Sequence, residues 1–411
     1  MRARHEVSHG RIYIVAMTLN QGIDTVAIPG PSILPDRVRA ALSRQMPNIY
    51  AGPLLEASDR IMARLPSIVR TTGNPFLVIG NGHAAWQMAI ANTLVSGDKI
   101  LVLESGRFAA VWGDYARLAR VDVDVLPGRF DGPVDPAALQ ARLEADDGSI
   151  VAVFIAHTDT ASSVRNDLPA IRAAIDAAGH GALLMVDGIA SIGAERFEMD
   201  EWGIDLAIAA SQKGLMCPPG ISFVWAGAKA VARFHSLPAD RPRVAYLDWE
   251  KRLEPTAFYE TYAGTPPVAH IHAFDVALEL IDEEGGLEAV WRRHEILASS
   301  VRAAVDAWAA PGGLSLNIAS PEHRSNAVTT VRTGTIDPLD LVARCRDGMG
   351  VTLGIGFAEI GGSFRIGHMG HLNPPMILGT LAAIEAVLHS LGAPVGGSGV
   401  AAAAEVIGDK L

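Results

Sequence analysis

Four short runs in the first half of the chain contain no polar residue: Phe76–Ile79, Ile100–Leu103, Ile150–Ile155 and Ala182–Val186. A strand with one face in water alternates apolar and polar residues, so unbroken apolar runs mean burial on both faces. Strands of that kind belong to a mostly parallel sheet with helices packed on either side. The intervening segments read as those helices. Asp36–Met46, behind Pro35, sets Val38, Ala41, Leu42 and Met46 on one face, and Asp167–Ala178 aligns Ile171, Ala174, Ile175 and Ala178 before a stop at Gly179. From 237 to 267 the pattern gives way to a connection rich in proline and aromatic residues, a length of irregular chain that usually serves function or an interface. Beyond it the sequence predicts helices over Val268–Glu283 and Leu287–Trp308. A strand Ala327–Arg332, a helix Pro338–Arg346, a strand Phe364–His368 and a helix Pro374–Leu391 follow. The expected architecture is α/β: an N-terminal arm over 1–35, a large domain over 36–270 and a smaller C-terminal α+β domain over 271–411. No internal repeat is visible, and the alanine run Ala401–Ala404 suggests no function.

Composition removes several classes of partner. The net charge of -11 opposes nucleic acid and anionic membranes, both of which favour a basic surface. Two cysteines, Cys217 and Cys345, cannot build a disulfide framework, so a reducing cytoplasm is the expected setting. No stretch of about 18 uncharged apolar residues is present to cross a membrane. Residues 1–16 lack the apolar core and cleavage site of a signal peptide. A true start at Met17, with 1–16 extraneous, is an expectation.

Lys213 arrives directly after the apolar run Leu206–Ala210. A lysine at the end of a buried strand is partly desolvated, which lowers its pKa and frees the amine as a nucleophile. Such amines form Schiff bases with aldehydes, above all with pyridoxal phosphate. A strand-end lysine that merely reaches solvent is the plainer alternative. Asp187 closes the preceding apolar run, 26 residues earlier, so both residues are expected at the carboxyl edge of the sheet, where open α/β folds bind ligands. An aspartate there can keep a pyridine nitrogen protonated, while the plainer alternative is a turn or cap aspartate. A third feature, Ile79-Gly80-Asn81-Gly82-His83-Ala84-Ala85, is a glycine turn from strand to helix that suits a phosphate. It also satisfies a dinucleotide fingerprint with Glu104 as the ribose-binding acid, which keeps a nicotinamide-dependent dehydrogenase in play. Arg365, inside the run Phe364–His368, matches a carboxylate or forms a structural ion pair. His368 reads as a polar core residue.

These motifs resemble the class V aminotransferases of the fold-type I pyridoxal phosphate enzymes, in the alanine/serine–glyoxylate branch. The likeness runs from about residue 25 and rests on Ile28-Pro29-Gly30-Pro31-Ser32, Gly80-Asn81-Gly82-His83, Val186–Ser191, Ser211-Gln212-Lys213-Gly214 and Phe364–His368. The resemblance implies pyridoxal 5'-phosphate as cofactor, Lys213 as the Schiff-base lysine and Asp187 as the partner of the ring nitrogen. It also implies Ile189 under the ring, Phe108 stacked on it, Thr160 near the ring hydroxyl, and Asn81, Gly82, His83 and Gln212 around the phosphate. Tyr262 and Thr265 fall where a second subunit reaches the phosphate, which implies a homodimer with active sites at its interface. Arg365 and Gly30 fall on the substrate side, and no metal site is implied. The implied activity is ping-pong transfer of an amino group from serine, alanine or aspartate to glyoxylate or pyruvate. Two segments depart from that pattern. Pro47–Pro53 replaces the branch's usual substrate wall, leaving Asn48, Tyr50 and Glu359 as wall residues without a readable rule. Asp248-Trp249-Glu250, Asp275–Leu278 and Gly367–Gly370 are similar to pyridoxamine–pyruvate aminotransferase.

Overall fold

A computed structural model of the protein describes residues 20–411. The expectations about 1–16 and Met17 lie outside the described residues. A seven-stranded sheet runs in the order Asn74–Gly80, Gly220–Ala226, Leu206–Ala210, Leu183–Asp187, Ile150–Ala156, Lys99–Leu103 and Asp122–Leu126. All neighbours pair in parallel except Gly220–Ala226, which is antiparallel to both of its neighbours. The unbroken apolar runs have the predicted cause. Successive residues of one strand feed two different cores: Leu184 and Val186 join one, Leu183 and Met185 the other. One core takes in the helices Pro53–Val69 and Val268–Glu284, and the opposite core takes in Gly82–Thr93 and Phe108–Leu118.

A second, five-stranded sheet joins Thr25–Ala27, Val351–Ile355, Ser363–Gly367, Val328–Arg332 and Ser315–Leu316. It packs against Leu287–Trp308 and Pro374–Ser390 through Leu297, Val301, Trp308, Phe364, Ile366 and Leu381. Its first strand belongs to the N-terminal arm, pairing in parallel with Val351–Ile355, so the arm crosses to the later half of the chain. One expectation is corrected. The first helix ends at Leu42, not Met46, and Met46 is exposed. Met46 precedes Pro47, whose ring disfavours helical backbone in the residue before it. The alanine run lies in a helix of its own, Gly399–Gly408, packed along Leu287–Trp308. Among the described residues, no helix is long and apolar enough to cross a membrane.

Candidate active site

Parallel strands bring their carboxyl ends to one edge, and the cleft at that edge gathers most of the predicted site. Asn81, Gly82, His83, Phe108, Thr160, Asp187, Ile189, Gln212 and Lys213 all line it. At one wall, Asn81 caps the helix Gly82–Thr93 by accepting the His83 N–H on Oδ1 at 3.1 Å. Gly82 has no room for a side chain, since a Cβ there would stand 2.3 Å from Ile189 Cδ1. The His83 ring meets Trp86 edge-on at 4.5 Å and lies over Tyr115 at 5.5 Å. Burial lowers its pKa, so it is neutral above its ordinary titration range.

Asp187 forms the floor. Its Oδ1 accepts from the Ile189 N–H at 2.8 Å and its Oδ2 from Trp86 Nε1 at 2.9 Å. Removal from water pushes the carboxyl up to about 7, against the pull of those two hydrogen bonds. No cation touches it. A carboxylate held in that condition lacks a positively charged donor, and a protonated ring nitrogen is such a donor. Trp86 was not among the predicted residues, and only its place one helical turn after the glycine turn hinted at it.

Lys213 overturns the solvent-reaching alternative. Part of its side chain faces the cleft, while protein atoms crowd the ammonium and lower its pKa to about 8, desolvation first and the Arg365 charge second. Its Nζ donates to the Pro29 carbonyl. The arm then lies across the lysine, with Ser32 N–H bonded to the Gln212 carbonyl at 2.9 Å and Ser32 Oγ to the Lys213 carbonyl at 2.8 Å. Gly30 sits at φ +87°, and a Cβ there would be 2.5 Å from Lys213 Cδ, so this crossing requires glycine. Beside the lysine, Gln212 Oε1 is buried without a partner, an orphaned amide facing the same cleft.

The opposite wall hangs on Asp159, a residue that sequence reasoning passed over. Its buried carboxylate accepts from the Phe108 N–H at 2.7 Å and the Ala161 N–H at 2.8 Å. That fixes the start of the helix Phe108–Leu118 and with it the Phe108 ring. Gly106 leaves the space, since a Cβ there would fall 2.1 Å from Asp159 Cγ. Arg365 makes no ion pair among the described residues. Its Nε donates to the Ile355 carbonyl at 2.7 Å and its Nη1 to the Thr160 carbonyl at 3.0 Å, and Nη2 has no partner among the described residues. Its pKa, lowered to about 10 chiefly by desolvation, keeps it cationic at neutral pH. His368 is a core residue, bonded to Thr329 Oγ1 at 2.9 Å and the Asn326 carbonyl at 3.0 Å.

Five further residues do not line this cleft, among them the two expected to reach a second subunit's phosphate. Tyr262 is buried with its hydroxyl on Ser58 Oγ at 2.5 Å, and neither it nor Thr265 lines the cleft of its own chain. Asn48 and Tyr50 are exposed and form no part of that wall, and Glu359 pairs with Arg107 at 3.0 Å. The cleft thus offers a partly desolvated amine, a buried carboxylate wanting a cationic donor, an orphaned amide and a glycine turn. The amine suits an aldehyde carbon, the carboxylate a ring nitrogen and the glycine turn a phosphate, three groups that pyridoxal phosphate carries, whereas Gln212 Oε1 is an acceptor and calls for a donor.

Comparison with known proteins points the same way. Residues 77–359 match the family model described as aminotransferase class-V. The chain is 37% identical over 409 residues to a serine–glyoxylate aminotransferase of Methylorubrum extorquens, covering 96% of this chain and 98% of that protein. It is also 37% identical to an L-aspartate–glyoxylate aminotransferase of Paracoccus denitrificans, covering 92% and 95%. Among solved structures it resembles the pyridoxamine–pyruvate aminotransferase of Mesorhizobium loti, with a TM-score of 0.85 and 28% identity over 96% of this chain and 100% of that one.

Proposed function

This chain belongs to the class V aminotransferase family, fold-type I transaminases, and from that premise we propose that it moves the amino group of serine, alanine or aspartate to glyoxylate or pyruvate. The observation that carries this reading is the pair Asp187 and Lys213, one closing a strand and the other just beyond the strand parallel to it, both facing one cleft. Pyridoxal 5'-phosphate, when bound, supplies an electrophilic carbonyl and an electron sink. Gly82, Asn81, His83 and Gln212 would hold its phosphate, Ile189 and Phe108 the two faces of its ring, and Thr160 the ring hydroxyl. Asp187 holds a proton on the ring nitrogen. Lys213 Nζ, with a pKa brought towards neutrality, takes the proton from the donor's Cα and returns one along the same side. Arg365 Nη2 binds the donor's α-carboxylate, and Gly30 lets the arm close over the lysine. We further propose a homodimer in which Tyr262 and Thr265 reach the partner's phosphate, and a division into domains over 36–270 and 271–411. A second reading, transfer from pyridoxamine to pyruvate, is favoured by the likeness to the Mesorhizobium loti enzyme.

The experiment is a donor panel of serine, alanine, aspartate and pyridoxamine against glyoxylate and pyruvate, run beside a near-visible absorbance scan. The expected result is turnover of the amino acids and a band that disappears in Lys213→Ala. Turnover of pyridoxamine without added cofactor selects the second reading. A protein with no band, whose Lys213→Ala variant keeps full activity, excludes both.

A further inference from the structure

Beside the cleft, next to Phe108 and Thr160 of its lining, two guanidinium groups stand on one aromatic ring. Phe357 follows the strand Val351–Ile355, and its ring meets Phe108 edge-on at 6.5 Å. The Arg365 guanidinium carbon stands 4.6 Å from the Phe357 centroid and that of Arg107 stands 5.3 Å from it. Together those distances cap the separation of the two guanidinium carbons at about 10 Å. Arg365 comes from the smaller sheet, whereas Arg107 directly precedes Phe108 on the opposite wall. Two cations this close repel, and anions within reach relieve the repulsion. Among the described residues one carboxylate pairs with them, Arg107 Nη1 donating to Glu359 Oε1 at 3.0 Å, while buried Asp159 acts on Arg365 only through its charge. The side chains of that pair are 44% and 40% exposed, and an exposed pair adds little and exchanges readily for another carboxylate.

We propose that Arg107 is a specificity-determining residue that receives the side-chain carboxylate of a dicarboxylic amino donor of aspartate's length, with Glu359 holding the guanidinium until the donor displaces it. The inference rests on Arg365 taking the α-carboxylate. Ordinary C–C lengths put the two carboxyl carbons of such a donor roughly 4 Å apart. Charge-assisted N–H···O contacts of about 2.7–2.9 Å set each guanidinium carbon roughly 4 Å beyond its carboxyl carbon. Fully extended, the assembly spans roughly 12 Å, and a bend at either carboxylate brings it within the separation set by Phe357. Alanine and serine offer Arg107 no carboxylate and leave its pair with Glu359 intact.

The test compares kcat/KM for aspartate and for alanine, glyoxylate being the acceptor, in the wild type, Arg107→Gln and Glu359→Gln. Arg107→Gln is expected to lower the aspartate-to-alanine ratio roughly 10- to 100-fold, the loss of a charge-assisted pair. Glu359→Gln is expected to raise it roughly 2- to 5-fold by removing the competitor. Calorimetric titration supplies a readout without turnover: the wild type binds succinate roughly tenfold more tightly than propionate, and Arg107→Gln binds the two alike. The inference is overturned if Arg107→Gln lowers both donors by the same factor, if Glu359→Gln lowers the ratio, or if the wild type binds succinate and propionate alike. Any of these with alanine turnover and the near-visible band intact removes this inference alone. Loss of the band and of all donors overturns the proposed function and takes this inference with it.

Discussion

Two buried polar clusters lie between the sheets, and they are built to opposite rules. In one, Glu195 accepts from Ser325 Oγ at 2.6 Å, from the Asn326 N–H at 2.9 Å and from Thr158 Oγ1 at 3.2 Å. Nearby, His368 uses both ring nitrogens, and burial drops its pKa to about 3, so it stays neutral at physiological pH. Every group there finds a partner within the chain. In the other cluster, Asp187 has two donors but no cation, Gln212 Oε1 has no partner, and Lys213 is crowded by protein while facing open space. Satisfied networks stiffen a fold, and unsatisfied ones cost stability unless a ligand completes them. Both clusters are rich in polar groups, so what separates these two is the loose ends and not the number of groups.

Mutations can break that contrast. The largest effect is expected from Lys213→Ala, which removes the amine proposed to move the proton and lowers kcat by at least roughly 10²- to 10⁴-fold, with the fold intact by circular dichroism. Glu195→Ala should do the reverse: it orphans three donors and destabilises the protein by about 3 kcal/mol in urea, while near-visible absorbance per folded molecule survives. Asp187→Asn separates the two rules by pH. The raised carboxyl is protonated in the folded apoprotein up to about pH 7 but titrates in its ordinary acid range when unfolded. Its stabilising contribution is thus full at low pH and lost as pH rises through about 7. Asp187→Asn keeps one acceptor and sets its Nδ2 against an N–H, a cost that does not depend on pH, so calorimetry of the apoproteins should find its stability relative to the wild type rising by on the order of 3 kcal/mol from pH 4 to pH 8. Equal pH dependence of the two proteins would show that Asp187 is not desolvated. Gly30→Ala forces a Cβ against Lys213 at positive φ and should cost about 1–3 kcal/mol, read in denaturant and as a slower turnover. The smallest effect belongs to Trp86→Phe. Without the indole donor the Asp187 carboxyl rises further, and the pKa seen in the pH profile of kcat/KM should move up by about one unit.

The residues that were legible in the sequence are those whose environment is set by neighbours in the chain. Asp187 and Lys213 stood out because each follows an apolar strand, and the Gly80 turn because it separates a strand from a helix. Strand direction left no such mark. Gly220–Ala226 is antiparallel to both neighbours, yet like the parallel strands it is buried on both faces. Thr25–Ala27 is three residues long, and its pairing with Val351–Ile355 exists only in the folded chain. Asp159 was missed because it acts on backbone N–H groups 51 residues away, through a space that only Gly106 leaves open. The helix at Asp36 was drawn too long because its apolar spacing continues up to Pro47, while the packing stops at Leu42.

The arm that crosses Lys213 also fixes an order of assembly. Its strand Thr25–Ala27 is synthesised first, and its partner Val351–Ile355 emerges more than three hundred residues later. The seven-stranded sheet, complete once residue 226 has been made, can form without waiting. Until the second sheet closes, the reactive amine has no strap across it, and Pro29 and Ser32 have nothing to hold them against it. In a growing polypeptide the lysine is therefore covered late, by a segment made before it, once a segment made after it has provided the edge on which the earlier one docks.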